Sequence, residues 1–337
     1  MFTDVNRAED FLTQLTRRPR RNRITPAVRA LVRETDLQAH DMVWPIFVRE
    51  GTKERDVIKG MADNFRLSPD LVVREVEAAH KHGIRAVMLF PVIPREMKDP
   101  TGSEALNPDN LLNRTVRMLK RELPDVCVII DIALDPYTSH GHDGLVNEHG
   151  HVLNDETVRV LSTMATVAAG AGVDIVAPSD MMDGRIGYIR HALDRQGYTN
   201  VGILAYAAKY ASAFYGPFRD ILDSAPAFGD KKTYQMDPAN VREALLECAL
   251  DEQEGADMLL IKPALAYLDV IAKVKANTNL PVGGYHVSGE YAMIMAAAAA
   301  GCLDADRALL ECMLSIKRAG ASFIPTYAAP RVAKLLK

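Results

Sequence analysis

Cysteine is scarce in this chain. The four present, Cys127, Cys248, Cys302 and Cys312, form no close pair and no zinc-ligand spacing. That excludes a disulfide framework and points to reduced thiols. A surplus of one charge is also missing. Lys and Arg number 40 against 44 Asp and Glu, a net charge of −4, so no overall field draws the chain to nucleic acid. No apolar run approaches the roughly 20 residues that cross a bilayer. The opening Met1-Phe2-Thr3-Asp4 lacks the apolar core of a secretory signal. A cytoplasmic protein with no membrane or nucleic-acid partner is expected. No Gly-x-Gly-x-x-Gly follows the first apolar run, which weakens a doubly wound open sheet as the fold.

What is present is ordered along 337 residues, 48% of them hydrophobic. Residues 1–35 stand apart as an extended N-terminal arm. Asp10-Phe11-Leu12 opens a short helix there, and the basic cluster Arg17-Arg18-Pro19-Arg20-Arg21-Asn22-Arg23 follows without an apolar stripe. It reads as a solvated arm or as one docked on a neighbouring subunit. From residue 36 to 337, continuous apolar runs alternate with amphipathic segments. The runs are 44–48, 86–90, 126–130, 174–177, 202–206, 258–261, 281–285 and 322–326. Unbroken apolarity suits strands buried on both faces. Leu71, Val72, Val76 and Ala79 share a helical face after a capped start at Ser68-Pro69-Asp70. Gly83, Gly172, Gly255 and Gly320 each sit just before a strand run, as a helix C-cap turning into a strand would require. The pattern predicts an α/β fold, a (β/α)8 TIM barrel. Two connections are long, 133–154 and 209–239, and both follow strand C-termini, where barrel enzymes place their chemistry. The second carries Tyr210, Phe214, Tyr215, Phe218, Arg219, Lys231, Lys232 and Gln235, a mixture suited to a lid over an anionic ligand.

Two lysines close neighbouring runs: Lys209 ends 204–208, and Lys262 ends 258–261. At the mouth of a barrel each is desolvated, and each ammonium disfavours the other, so a free amine becomes available for attack on a carbonyl. The plain alternative is a pair of anion-binding or snorkelling lysines. Two imine-forming lysines suggest two carbonyl substrates held together, which at best removes about 7–11 kcal/mol of barrier.

The stretches Ala177-Pro178-Ser179-Asp180-Met181-Met182-Asp183-Gly184-Arg185, Lys209-Tyr210-Ala211-Ser212, Phe218-Arg219-Asp220, Ile261-Lys262-Pro263 and Val287-Ser288-Gly289-Glu290-Tyr291-Ala292-Met293 carry a further signal. They strongly resemble the porphobilinogen synthase (5-aminolevulinate dehydratase) family, with the resemblance running from Arg17 to Tyr327. The resemblance implies asymmetric condensation of two 5-aminolevulinate molecules to porphobilinogen in tetrapyrrole (heme) biosynthesis. It also implies roles for individual residues. Lys262 would bind the first substrate as a Schiff base, and Lys209 the second. Arg219 and Lys231, with Gln235 beside them, would hold the second substrate's carboxylate. Ser288 and Tyr327 would serve the first substrate's carboxylate. Asp131 and Ser179 would handle the amine and its protons.

Where many members of that family carry three zinc-binding cysteines, this chain has Ala133, Asp135 and Asp143. No catalytic zinc is expected, because no thiolate remains. Asp135 and Asp143 are turn residues or oxygen ligands for a hard or monovalent cation. His140 and His142 lie nearby without a thiolate or third imidazole. Glu247 matches an allosteric Mg2+ position, and the resemblance implies a homo-octamer whose arms wrap neighbours. The chain departs from the family's usual pattern at Ala62-Asp63, Ala264-Leu265 and Ala328-Ala329-Pro330. Two competing readings remain: a single-lysine aldolase on the same barrel, and a barrel that keeps the lid without the chemistry. Retention of both lysines and both carboxylate clamps argues against them.

Overall fold

The strands form where β-branched and other apolar residues run without interruption. In the computed structural model, which describes residues 15–336, all eight predicted runs contain strands. They are β1 (Met42–Arg49), β4 (Ala86–Val92), β5 (Cys127–Ile132), β6 (Ile175–Pro178), β7 (Gly202–Lys209), β8 (Met258–Lys262), β9 (Val282–Gly284) and β10 (Ile324–Pro325). Neighbours in this series pair in parallel, and β10 pairs β1 through Met42↔Ile324. Bridges Gly283↔Phe323 and His286↔Thr326 join β9 to the last strand. The sheet therefore closes on itself as a TIM barrel.

Between strands lie α2 (Pro69–His80), α3 (Leu111–Glu122), α4 (Asn154–Gly170), α5 (Arg185–Arg195), α6 (Gly216–Leu222), α7 (Arg242–Gln253), α8 (Leu268–Lys275), α9 (Ser288–Ala299) and α10 (Ala305–Arg318), with α11 (Ala329–Leu335) last and α1 (Pro26–Leu31) ahead of the barrel. Gly83, Gly172, Gly255 and Gly320 all have φ between 96° and 111°, as the helix-to-strand elbows demand.

Val72, Val76 and Ala79 of α2 are buried as expected, but Ser68 makes no side-chain cap. Its hydroxyl instead accepts from Glu54 N at 3.0 Å and donates to Asp70. The reason is a hairpin that sequence periodicity does not reveal: β2 (Arg55–Val57) pairs antiparallel with β3 (Phe65–Leu67), and β3 pairs β1. Three-residue strands are too short to show alternation.

The contacts divide the chain into two units, Met1–Asp36 and Leu37–Lys337. In the first, Val28 N donates to Thr25 Oγ1 at 3.2 Å, capping α1. None of residues 15–36 is buried, and Ile24 and Leu31 are 71% and 85% exposed. The helix expected at Asp10-Phe11-Leu12 lies outside the described residues. No helix among the described residues is long and apolar enough to cross a membrane.

Candidate active site

Lys209 and Lys262 are register partners at the C-terminal ends of β7 and β8. A simple ladder would not have made them so. Ala205 pairs with Leu259, and Lys209 lies four positions beyond Ala205 while Lys262 lies three beyond Leu259. Strand side chains alternate faces with period two, so an unbroken register would aim the two lysines to opposite sides. A register shift between Ala205 and Ala208 inserts one extra residue in β7. This bulge re-aims Lys209 onto the face of Lys262, a common use of bulges beside active sites. Nothing in the apolar pattern of 202–209 announces it.

The Lys262 ammonium position is walled by rings. Its Nζ lies 4.7 Å from the Tyr285 ring centroid, 4.8 Å from Phe218, and 5.2 Å from both Tyr206 and Tyr215. Among the described residues its Nζ has no hydrogen-bond or ion-pair partner. Burial first, and the Lys209 charge second, push its pKa down to about 7, against the pull of Asp131, Asp135 and Asp143. Ring faces favour a cation, but here loss of water outweighs them. Burial keeps Tyr206, Tyr215 and Tyr285 as neutral phenols, with pKa values well above 10. Sequence reasoning placed Tyr215 and Phe218 in the lid and Tyr206 and Tyr285 in strands, but did not see that the four surround one amine. A tyrosine near the end of a barrel strand is the signal that could have found Tyr206 and Tyr285.

Lys209 stands among oxygens. Its Nζ donates to Asp143 Oδ2 at 3.1 Å and to the Ser179 carbonyl. Asp143 also accepts from Lys231 Nζ at 2.6 Å, and Asp135 lies 3.6 Å from the same ammonium. Burial alone would raise Asp143, yet Lys209 and Lys231 overcome it and hold the carboxyl down to about 2. Burial would likewise lower Lys231, but Asp143 and Asp135 raise it above its ordinary value. Asp131, on β5, is pushed up to about 7 by burial and then by Asp135, against Lys209, Lys262 and a hydrogen bond from Ser179. One of its oxygens, Oδ1, has no hydrogen-bond partner among the described residues. A carboxyl near neutrality beside an amine near neutrality can pass protons at physiological pH.

Phe90, Asp131, Asp135, Ser179, Lys209, Lys262 and the lid residues Tyr215, Phe218, Arg219, Lys231 and Gln235 line one cavity. Eight of the predicted site residues thus converge, Asp135 among them. Under the closed lid the cavity is only about 20 Å³, space for about one water molecule, so substrates require the lid to move. Tyr327 does not line this cavity. Its hydroxyl meets that of Tyr285 at 3.2 Å, and its ring stacks on Phe47 at 5.7 Å. Ser288, the first residue of α9, accepts from Phe218 N at 3.1 Å, tying α9 to the lid. The departures near Tyr327 leave this packing intact: Ala328 and Ala329 are buried, and Asp63 pairs with Arg331 at 3.2 Å.

The candidate cation positions differ from one another. Lys231 Nζ occupies the space between Asp135 and Asp143, and both Asp143 oxygens are engaged. Both imidazoles nearby are committed: His142 Nδ1 meets Tyr234 OH and its Nε2 meets Phe228 O, each at 3.1 Å, while His140 Nδ1 accepts from His142 N. Glu247 is elsewhere, on α7, lining a cavity of about 800 Å³ with Asp183, Asp237, Glu243 and the lid's Gln235. Burial, followed by Asp251, raises its pKa despite Arg185. Among the described residues no three His, Cys, Asp or Glu side chains converge to hold a metal directly.

Comparison with known proteins matches residues 16–335 to the family model described as delta-aminolevulinic acid dehydratase. The chain is 53% identical over 322 residues to the delta-aminolevulinic acid dehydratase of Chlamydia pneumoniae, covering 96% of this chain and 97% of that one. It is 53% identical over 321 residues to that of Bradyrhizobium diazoefficiens, covering 95% and 91%. A solved structure of the Toxoplasma gondii dehydratase (porphobilinogen synthase), in complex with the reaction product porphobilinogen, superposes with a TM-score of 0.94 at 49% identity, covering 96% of this chain and 92% of that one. The chain belongs to the delta-aminolevulinic acid dehydratase family and is a dehydratase that condenses two 5-aminolevulinate molecules to porphobilinogen.

Proposed function

We propose that the condensation runs through two Schiff bases, one on Lys262 and one on Lys209. The observation that carries this reading is their direct register pairing on one face of the barrel mouth. Each amine adds to a substrate ketone and expels water, leaving an imine. Lys262 is poised for this, because its pKa near 7 leaves a large fraction unprotonated at neutral pH. The imine acidifies the adjacent carbon. Asp131 is placed to take that proton and return it to a leaving oxygen or nitrogen, with Ser179 orienting the carboxyl. Arg219, Lys231 and Gln235 close over the second substrate, and its carboxylate takes the place of Asp143 as partner of Lys231. Ser288 and Tyr327 present hydroxyls to the first substrate's carboxylate. In the closed lid Lys231 is itself the cation between Asp135 and Asp143. A hard or monovalent cation could enter there only after Lys231 turns to substrate.

Glu247 fits a hydrated magnesium ion. Its carboxyl is half-buried, its pKa is raised by burial and then by Asp251, and Asp183 and Glu243 add negative charge, a strain that a cation would relieve. Bound there, the ion would act on assembly and the lid, since the same cavity reaches Gln235. The exposed Ile24 and Leu31, beside the basic cluster at 17–23, suit an arm that docks on another subunit of a homo-octamer. Free cysteines suit the cytoplasm. The test is incubation with 5-aminolevulinate and borohydride, followed by peptide mapping, alongside the pyrrole colour reaction. Adducts on both Lys209 and Lys262 are expected. A pyrrole-forming enzyme that never labels Lys209 would favour a single-lysine route.

A further inference from the structure

The lid helix α6 carries Phe218 and Arg219, and it is only seven residues long. Helices this short do not hold themselves, and carbonyls in the last turn have no partner within the helix. Here those carbonyls are met from outside. Lys98 Nζ donates to Leu222 O at 2.9 Å and to Asp223 O at 2.8 Å. Arg66 Nη2 donates to Ile221 O at 2.9 Å, with Asp220 O at 3.4 Å. The donors come from different segments: Arg66 from β3 of the hairpin, and Lys98 from the turn after β4. Both are half-buried, and neither forms an ion pair with a carboxylate among the described residues. Cations at a helix C-terminus also meet the negative end of its dipole. The other end of α6 is pinned by Ser288 Oγ at Phe218 N.

We propose that Arg66 and Lys98 are positioning residues for the condensation: they clamp the C-terminal end of α6 and so hold Arg219 over the second substrate and Phe218 against Lys262. The proposal rests on the reading that this lid binds the second substrate. It gives the β2–β3 hairpin a role, as the platform that carries Arg66 to the lid. Releasing the clamp has two separable consequences. Arg219 loses its hold on the substrate carboxylate, which weakens binding. Phe218 leaves Lys262, water returns, and the ammonium is favoured, so imine formation needs a higher pH.

The test compares Lys98→Met and Arg66→Met with Lys98→Arg, Arg66→Lys and the lid control Arg219→Ala. Three quantities are read: KM for 5-aminolevulinate, the pH profile of borohydride trapping at Lys262, and the rate of proteolytic cutting within residues 210–235. Each Met variant should raise KM by about tenfold, the worth of a charged hydrogen bond, with little change in kcat on the high-pH plateau, where the Lys262 amine is free. Trapping should move to higher pH, and lid cutting should speed up. The conservative variants should recover much of each. If the Met variants lower only thermal stability and kcat, leaving KM, the trapping profile and lid cutting unchanged, the clamp is ordinary packing and the proposal is overturned. If Arg219→Ala leaves KM unchanged, it is the reading of the lid that falls. Lid cutting then decides the clamp alone, and an unchanged rate overturns it.

Discussion

Lys209 and Lys262 sit opposite each other on adjacent strands, end the same kind of apolar run, and are equally buried at 6% exposure. Their surroundings nonetheless differ in kind. Lys262 faces four aromatic rings and, among the described residues, bonds to no oxygen, whereas Lys209 donates to a carboxylate and a carbonyl. Burial is therefore not what distinguishes them. The aromatic surroundings remove water and place no carboxylate in contact with the amine, so burial and the Lys209 charge outweigh the more distant Asp131, Asp135 and Asp143. The acidic surroundings supply counter-charge through Asp143, which on the two-imine proposal would be given up before Lys209 reacts. An asymmetric condensation of two identical molecules needs such a difference, since the enzyme must treat the first and second copies differently.

The strongest way to break the comparison is to remove each lysine. Lys262→Ala and Lys209→Ala should each cost turnover on the order of a thousandfold or more, as loss of a covalent catalyst does. Trapping should separate them. Lys209→Ala should still form the imine at Lys262, while peptide mapping of Lys262→Ala should find no adduct on that segment. Equal labelling of the remaining lysine in both variants would mean that the two amines are interchangeable.

The next largest effect concerns the acidic side. Asp143→Asn leaves Lys209 and Lys231 facing a neutral amide. Breaking a buried pair of this kind costs about 3 kcal/mol or more, and denaturant melting should show it. The corresponding change on the aromatic side, Phe218→Ala, should act on pH and much less on stability, because Phe218 is only half-buried. Free amine exists above the pKa, so trapping at Lys262 should rise through about pH 7 in the unaltered protein. Hydrating the site raises that pKa toward its ordinary value and moves the rising limb to higher pH. A shift of about one unit would lower trapping roughly tenfold at a fixed pH below the limb. A profile that stays in place would show that Phe218 is not what keeps water from Lys262.

Much of this comparison was legible in the sequence, and the reasons are physical. Strands buried on both faces leave continuous apolar runs, so all eight barrel strands could be read, and so could the lysines that close two of them. The elbow glycines were legible because their positive φ restricts the residue type. The β7 bulge was not, since one extra residue in an apolar run changes no composition. The β2–β3 hairpin was too short to show alternation, and its part in holding α6 depends on contacts such as Arg66 to Ile221, 155 positions apart. The lid cations could be named, but not that Lys231 rests on Asp143 and Asp135 when the lid is closed. The sequence leaves Asp135 and Asp143 open as turn residues or as oxygen ligands for a cation, and in the structure the Lys231 ammonium lies between them.

The smallest expected effects concern metals. With Ala133, Asp135 and Asp143 standing where a zinc site would need thiolates, and both His142 nitrogens engaged, a zinc-selective chelator should leave activity intact. Magnesium should behave differently. Glu247 lies on α7 and does not line the cavity of the two lysines, so losing it should spare imine trapping at both. A hydrated ion beside Glu247, Asp183 and Glu243 would relieve their mutual repulsion, and on the proposal that this cavity borders a subunit contact it would bind preferentially to the larger assembly. By mass action it would then favour that assembly. Because the cavity also reaches Gln235, magnesium should raise activity severalfold at sub-saturating substrate, with less effect at saturation. Glu247→Ala should lose this response. Activity and sedimentation followed together across a magnesium titration decide the matter. If the two proteins respond alike in both, Glu247 is a solvated helix residue whose raised pKa has no bearing on assembly.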